Sequence, residues 1–310
     1  MTRDLPIFMI GVPRSGTSVL SEAVAAHRDL GGFTNHLNRL PGFPSLAVLT
    51  RLTAIPGIGR RLHGKKKQAP GVAAQVRRML PYLSEAFPVW ERLCGSDFPT
   101  DYLIDRSAPE AVRERVERYV GQVLGLQGKP RLFAKLTGPP RITYLSSLFP
   151  DAGFIHVIRD PRAVVASLLT VGFWERLGGF DAPWWQNGLT PLCLAEWEAS
   201  GRSPAALAAI QWRRIIEVTE AERRRIPSER YLEIRYEAFV DAPHRSVSAV
   251  FQRMGLDDDP AAHRYLDGVG RLVRMNDKFR RLLTPDQIRL VERITGGWAA
   301  RKGYRFNGED

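Results

Sequence analysis

The sequence predicts an α/β fold, a three-layer sandwich in which a central parallel sheet carries helices on both faces. Short apolar segments at 5–10, 131–136, 153–158 and 231–235 have the length of buried strands. Segments with helical spacing of apolar residues separate them, and this alternation is typical of a parallel sheet covered on both sides. The 310 residues are 44% hydrophobic and 25% charged, as in an ordinary soluble globular protein.

The helices are predicted from apolar periodicity and from their flanking residues. The first strand precedes a helix at 15–26, in which Val19, Leu20 and Val24 are apolar. A helix at 109–124 carries valines on one side and charged residues elsewhere. Further helices are expected at 142–148, 163–169, 205–224, 246–254 and 285–295.

The chain is expected to form one domain over residues 1–310, because no repeat, low-complexity tract or change of composition marks a second one. Two variable segments are expected within it. The first is an insertion at about 31–108, whose part from 31 to 70 is rich in Gly, Pro and basic residues, with the run RRLHGKKK at 60–67. The second is a Gly-rich aromatic loop at about 171–197.

Charge and cysteine content limit the classes of partner and compartment. The 45 Lys and Arg exceed the 33 Asp and Glu by 12, which favours nucleic acid, acidic membrane surfaces or phosphorylated small molecules, unless the surplus is spread over a solvated surface. Cys94 and Cys193 have neither disulfide-framework nor zinc-site spacing. The apolar stretch near the start is too short for a signal peptide or a spanning helix, so a cytoplasmic protein is expected.

A phosphate-binding loop is predicted at 11–18, Gly-Val-Pro-Arg-Ser-Gly-Thr-Ser, between the first strand and the first helix. Backbone N–H groups and a helix N-terminus can bind an anion there. Gly11 and Gly16 have the spacing of a nucleotide P-loop, but Thr17 stands where the triphosphate-binding lysine would be. Arg14 supplies a cation inside the loop, which suits a compact anion better than a Mg-bound triphosphate. A glycine-rich turn without a ligand is the alternative.

The strand at 153–158 is followed by a cation and, further on, by a hydroxyl. Arg159 follows this strand, and Ser167 lies two turns into the next helix. These side chains can converge on one phosphate at the carboxyl edge of the sheet, where ligands of such folds bind. A salt-bridged turn formed by the Asp-Pro-Arg residues at 160–162 is the alternative interpretation.

These motifs resemble those of a known family. PIFMIGVPRSGTSVL is similar to the 5′-phosphosulfate loop of sulfotransferases, in the PRSGT form of bacterial and protein-tyrosine members. FIHVIRDPRAVVASLL resembles the 3′-phosphate motif of that family. YLEIRYEAFV and NDKFRRLLTPDQIRLVERI, with a closing RKGYR, are weaker similarities. The resemblance covers most of the chain and is weak at 31–109 and 171–197, where family members differ in acceptor.

The resemblance implies a P-loop-like sulfotransferase fold and the donor 3′-phosphoadenosine 5′-phosphosulfate. It implies in-line sulfuryl transfer, without a metal, to a hydroxyl or less often an amine of a small metabolite, glycan or lipid. Tyr236 would line the nucleotide pocket, unless it is a core tyrosine. The residues implied at the 5′-phosphate are Arg14, Ser15, Gly16, Thr17 and Ser18, and those at the 3′-phosphate are Arg159 and Ser167, with help from Lys278 or Arg280.

Three residues are expected to be catalytic: Arg14, Lys135 and His36. Lys135 ends the strand at 131–136 and matches a lysine of protein-tyrosine sulfotransferases, although a strand-end lysine without a role is the alternative. Related enzymes take the acceptor proton with a His or, about twenty residues beyond the loop, with a Glu. Here that count reaches Thr34-Asn35-His36, without a carboxylate. An imidazole suits general-base catalysis near neutral pH, and His27 is expected to cap or pack instead.

Two questions about partners stay open in the sequence. The aromatic side chains of 171–197 either stack on the acceptor or form a core patch; they are Phe173, Trp174, Phe180, Trp184 and Trp185. The rival functions are a P-loop kinase or hydrolase, which the missing lysine disfavours, and a basic protein that binds nucleic acid or a membrane surface. No recognised nucleic-acid module accompanies the basic run, and contact with a membrane surface is left open.

Overall fold

A computed structural model describes residues 5–54, 80–176, 178–185 and 187–306. In this part of the chain, five strands form a sheet in the order β2-β3-β1-β4-β5, and every pairing is parallel. The strands are β1 (Ile7–Gly11), β2 (Leu30–Gly31), β3 (Arg131–Thr137), β4 (Gly153–Ile158) and β5 (Tyr231–Arg235). The predicted parallel α/β architecture is therefore confirmed.

Helices connect the strands and cover both faces of the sheet. Short 3₁₀ helices lie at Pro44–Ala54, Arg223–Arg225, Ser228–Arg230 and Asn276–Lys278. The α-helices are α1 (Thr17–Ala25), α2 (Asn35–Arg39), α3 (Phe87–Cys94), α4 (Glu110–Gln127), α5 (Ile142–Leu148), α6 (Pro161–Leu168), α7 (Gly172–Arg176), α8 (Pro191–Ala199), α9 (Pro204–Glu222), α10 (Tyr236–Asp241), α11 (Pro243–Arg253), α12 (Pro260–Val269), α13 (Phe279–Leu282) and α14 (Pro285–Arg301).

The central strand β1 has side chains buried on both faces, as a doubly covered sheet requires. Phe8 and Ile10 pack on one face with α3, α4 and α5. Ile7 and Met9 pack on the other with α1, α11 and α12. Gly11, the last residue of β1, lies opposite Thr137 of β3 and Val157 of β4. The three strand ends therefore meet at one carboxyl edge, where the predicted loop begins.

A third apolar cluster lies beyond this edge, where α6, α9 and α14 pack together. It includes Trp174 and Trp185 from the aromatic segment, and both are buried. Part of this segment is thus core, and it contains α7 and the start of α8 rather than being a loop throughout.

The described parts of the expected insertion at 31–108 pack against α4 and the sheet through Phe33, Leu37 and Trp90. Residues after β2 pair with a segment from the far side of the insertion: Asn35 N donates to Tyr82 O at 3.0 Å, and Ser84 N donates to Phe33 O at 2.9 Å. The basic run at 60–67 lies outside the described residues.

None of the helices formed by the described residues is both long enough and apolar enough to cross a membrane.

Candidate functional site

The loop between β1 and α1 has an unusual backbone and a buried hydroxyl. Arg14 and Gly16 have φ of 73° and 79°, in the left-handed region. For a side chain such as that of Arg14 this costs roughly 1–2 kcal/mol. Ser15 is fully buried, and its Oγ has no hydrogen-bond partner among the described residues. A buried polar atom without a partner inside a glycine-rich turn fits a polar ligand.

The structure brings the two predicted anion motifs together. Arg14 Nε donates to Ser167 Oγ at 2.9 Å, so the loop after β1 contacts the helix after β4. Arg159 Nη1 donates to the carbonyl oxygen of Arg14 at 3.0 Å. Two guanidinium groups and a hydroxyl from distant parts of the chain therefore lie at the same edge of the sheet, a donor set suited to phosphate oxygens.

Arg159 is held in place by an aromatic ring and an amide. Only 8% of Arg159 is exposed, and burial lowers the pKa of its guanidinium. Its Cζ lies 4.3 Å from the centre of the Tyr236 ring, and its Nε donates to Asn276 Oδ1 at 2.9 Å. Tyr236 is buried between Arg159 and Gly16, where an added Cβ on Gly16 would lie 2.2 Å from Tyr236 Cδ2. It is thus a buried tyrosine that also shapes the loop.

Glu237 connects the elements around Arg159, and the sequence analysis did not single it out. Its Oε1 accepts from Asn276 Nδ2 at 2.6 Å and from the backbone N–H of Asp160 at 3.3 Å, and its Oε2 accepts from Tyr304 Oη at 2.9 Å. It therefore orients Asn276, which in turn holds Arg159. The signal available in the sequence was its place next to Tyr236 in the YLEIRYEAFV segment.

Lys135 pairs with a carboxylate that the sequence analysis also missed. Lys135 Nζ lies 2.9 Å from Glu85 Oε1, and the Lys135 side chain is only 16% exposed. Glu85 Oε2 accepts hydrogen bonds from Thr137 N at 3.2 Å and Thr137 Oγ1 at 2.8 Å. Since Thr137 lies opposite Gly11, this carboxylate lies at the end of β3, beside the strand that carries the loop.

His27 and His36, the two histidines considered in the sequence analysis, have different surroundings. His27 is buried, where its Nδ1 accepts from Asp29 N and its Nε2 faces Asp257 O, both at 3.0 Å, so it packs as its position predicted. His36 is half-buried in α2 and its carbonyl oxygen accepts from Leu40 N at 2.9 Å. The group placed against Lys135 and Thr137 is Glu85; a catalytic role for His36 stays a prediction.

The aromatic segment reaches the same edge. Trp185 packs on Gly138, where an added Cβ would lie 2.9 Å from Trp185 Cζ2, and Gly138 N donates to Gly11 O at 2.9 Å. The rings of Trp184 and Trp185 are stacked with centres 5.3 Å apart. Trp184 is half-buried, as are Phe173 and Phe180. The stack thus begins in the core beside the loop and ends in a partly exposed indole.

Of two further basic residues, Lys278 and Arg162, one is exposed and the other is held in ion pairs. Lys278 is exposed in the 3₁₀ helix that begins with Asn276. Arg162 pairs with Asp160 at 2.7 Å and with Glu292 at 2.9 Å. Among the described residues, no group of three or more His, Cys, Asp or Glu is arranged to hold a metal ion.

Comparison with known proteins finds a matching family model and several similar sequences. The family model described as "Sulfotransferase family" matches residues 6–260. The chain is 25% identical over 272 residues to omega-hydroxy-beta-dihydromenaquinone-9 sulfotransferase Stf3 of Mycobacterium tuberculosis, covering 82% of this chain and 64% of that protein. It is 24% identical over 258 residues to protein-tyrosine sulfotransferase 2 of Gallus gallus, covering 82% and 52%. The chain therefore spans between half and two thirds of the length of these relatives.

Solved structures share the fold. Sulfotransferase STF9 from Mycobacterium avium superposes with a TM-score of 0.58 at 17% identity, covering 100% of this chain and 79% of that one. A sulfotransferase domain from the curacin biosynthetic pathway gives a TM-score of 0.53 at 15% identity, covering 99% and 100%. At these identities the likeness concerns the fold.

Proposed function

Because the chain belongs to the sulfotransferase family, we propose that it transfers a sulfuryl group from 3′-phosphoadenosine 5′-phosphosulfate to a hydroxyl group of an acceptor. The observation that carries this proposal is the meeting of Arg14, Arg159 and Ser167 at one edge of the sheet. The donor bears anionic groups on two oxygens of one ribose, so its site needs two anion-binding subsites side by side. The loop supplies one subsite, and the residues that follow β4 supply the other.

The residues present fit such a donor. The backbone N–H groups of the loop, the N-terminus of α1 and the unpartnered Ser15 hydroxyl would bind the 5′-phosphate. Thr17 and Ser18 add hydroxyls at the start of the same helix. Arg159 and Ser167 would bind the 3′-phosphate, with the exposed Lys278 nearby on the segment of Asn276.

Arg14 and Lys135 would stabilise the leaving group. In this transfer the bond between sulfur and its bridging oxygen breaks, and negative charge develops on that oxygen. The donor supplies the activated sulfuryl group; the protein supplies cations fixed in place before the reaction. Arg14 is held by Ser167, and Lys135 is held by Glu85, so neither side chain needs to be ordered during the step.

We propose Glu85 as the group that takes the acceptor proton. As the bond between the acceptor oxygen and sulfur forms, the hydroxyl proton passes to the carboxylate. The three contacts to Lys135 and Thr137 fix the orientation of Glu85. His36 is the competing candidate from the sequence, and the two can be separated by substitution.

The acceptor is proposed to have a flat or apolar part that lies against Trp184. The half-buried indole of Trp184 ends a tryptophan stack that starts at Gly138, next to the loop. The names of the two relatives give a hydroxylated dihydromenaquinone and protein tyrosine as acceptors. These names favour a hydroxylated lipid or aromatic acceptor over a glycan, since a tryptophan face by itself can stack on any of the three.

The experiment that tests the donor is thermal stabilisation by 3′-phosphoadenosine 5′-phosphate, compared with AMP and with Mg-ATP, with EDTA in one arm. A ligand at 100 times its Kd adds about 2.7 kcal/mol of stability. We expect stabilisation by the bisphosphate, unaffected by EDTA and lost in Arg159→Ala. Arg253→Ala, which removes an exposed arginine of α11, is the matched control and should keep the effect. Stabilisation only by Mg-ATP would identify a kinase or hydrolase instead.

A further inference from the structure

The surplus positive charge of the protein is concentrated in one stretch of sequence. Residues 30–84 contain nine Lys and Arg and no Asp or Glu, so their net charge is +9, against +12 for the whole chain. Three quarters of the surplus therefore lies in 55 of the 310 residues. Such a stretch attracts an anionic partner wherever it lies on the surface.

The described part of this stretch also exposes apolar side chains. Leu40, Phe43, Val48 and Leu52 are exposed, and we call them the apolar face. Phe43 is 59% exposed. They account for four of the nine large hydrophobic residues that are exposed in the described chain, within 13 positions. Single exposed apolar residues are ordinary, but a concentration of this kind marks an interaction surface.

The geometry of the segment fixes which side chains point outward. In the 3₁₀ helix Pro44–Ala54, Ala47 is buried and Val48 beside it is exposed. Tyr119 Oη of α4 donates to Pro41 O at 2.9 Å, and Arg51 Nε donates to Leu126 O at 2.8 Å. The segment is thus attached to α4 at both ends, so the apolar face is presented by a fixed backbone.

Cations lie along the segment that carries the apolar face and beside it. Arg39 and Arg51 are exposed on the same segment, and Arg92 of α3 lies over Gly42, with its Cζ 3.7 Å from where a Cβ of Gly42 would be. Neither α2 nor the 3₁₀ helix contains an acidic residue; the exposed acid on α3 is Glu91.

We propose that the apolar face docks onto an anionic membrane surface. Apolar side chains that enter the headgroup region, flanked by cations that meet anionic lipids, are the two features of a peripheral membrane segment. Nucleic acid would use the cations but not the apolar side chains, because its interfaces are polar. A second copy of this chain would bring Arg39, Arg51 and Arg92 of two chains together, which is unfavourable. The proposal does not depend on the proposed sulfuryl transfer.

Vesicle flotation tests it without donor or acceptor. The full chain is mixed with vesicles of phosphatidylcholine alone or with added phosphatidylglycerol. We expect binding to the anionic vesicles that weakens as salt is raised, because the attraction between exposed charges is screened. The double variant Phe43→Ser with Val48→Ser should bind at least about tenfold more weakly. Leu192→Ser, which removes a leucine of α8 that is 77% exposed, is the matched control and should bind like the wild type.

Each of the following results would overturn the proposal. The first is no binding to anionic vesicles at low salt. The second is equal vesicle binding by the wild type and by a double variant whose thermal unfolding is unchanged. The third is tighter binding to double-stranded DNA than to the vesicles, or a concentration-dependent dimer that the double variant abolishes while vesicle binding persists; these would assign the face to nucleic acid or to a second copy.

Discussion

At the scale of single residues, the contacts of Glu85 indicate which side chain would take the acceptor proton and which would stabilise the leaving group. Glu85 accepts from Thr137 and pairs with Lys135, so one carboxylate contacts both a candidate leaving-group cation and the end of β3. Counting along the sequence could not find it, because its position depends on the pairing of 82–84 with 33–35. By contrast, Arg14, Arg159 and Ser167 lie directly after strands or on the following helix, where a local motif is enough to locate them.

Replacing Glu85 tests whether it takes the acceptor proton. Glu85→Gln should lower kcat by about 10²- to 10⁴-fold, since an amide cannot take a proton. The affinity for 3′-phosphoadenosine 5′-phosphate should change little, because the amide oxygen can still accept from Thr137. Steady-state kinetics with a saturating donor and calorimetric binding of the bisphosphate measure the two effects.

Two further variants complete that test. Glu91→Gln, on the exposed side of α3, should have wild-type kcat. If His36→Ala lost the activity while Glu85→Gln retained it, the proton acceptor would be His36, as the sequence alone suggested.

At the scale of elements, the strands were easier to predict than the helices. The predicted strands match β1, β3, β4 and β5 to within two residues at each end. Strands β1, β3 and β4 are short, largely apolar runs in a buried sheet, and β5 at the edge alternates apolar with charged residues. Strand β2 has two residues, too few to produce a pattern. Helix α12 was missed, although Asp259 caps it, Pro260 begins it and its buried residues Ala262, Tyr265 and Leu266 have helical spacing.

The junction between β1 and α1 depends on Gly16. Gly16→Ala should destabilise the protein by about 1–3 kcal/mol, because the methyl group would overlap Tyr236 and the φ of 79° disfavours a side chain. It should also weaken donor binding, since Tyr236 supports Arg159. Gly297→Ala in α14, where nothing lies within 4 Å of the added Cβ, should be neutral or stabilise by up to about 1 kcal/mol. Urea denaturation compares the two, and equal effects would argue against a packed junction.

Replacing Trp184 tests whether the aromatic segment binds the acceptor. Trp184→Ala should raise the acceptor KM and leave donor affinity unchanged, because Trp184 is the half-buried end of the stack while Trp174 and Trp185 are core. Trp298→Ala, a half-buried tryptophan of α14, is the control. An increase in donor Kd with an unchanged acceptor KM would place the acceptor elsewhere.

At the scale of the whole molecule, the buried carboxyl of Glu222 connects two helices that are far apart in the sequence, α9 and α5. Glu222 at the end of α9 accepts from Ile142 N, the first residue of α5, at 2.8 Å. Burial raises the pKa of Glu222 from 4.5 to about 7. Since this pKa is higher in the folded protein than in the unfolded chain, the contribution of Glu222 to stability is fully present below pH 4.5 and is lost as the pH rises through 7.

Glu222→Gln should remove this pH dependence. The pKa values of the folded and unfolded states differ by about 2.5, which corresponds to about 3 kcal/mol. The free energy of unfolding of the wild type, minus that of the variant, should fall by about this amount between pH 4 and pH 8. Denaturation curves at several pH values measure it, and a difference that stays constant with pH would contradict the assignment. Comparison with the variant cancels other groups, such as His156, whose pKa is lowered by burial.

The pairing of residues 33–35 with 82–84 has a consequence for how this chain can vary. Two backbone hydrogen bonds fasten both ends of the intervening stretch beside β3, so the position of Glu85 is set by those bonds and not by the number of residues between them. Lengthening that stretch costs little loop-closure entropy, which grows slowly with length, provided that Leu37 and Ala47 keep their packing in the core. Evolution, or an engineer who grafts a different segment there, can therefore change what the surface recognises while the carboxylate stays where the reaction would need it.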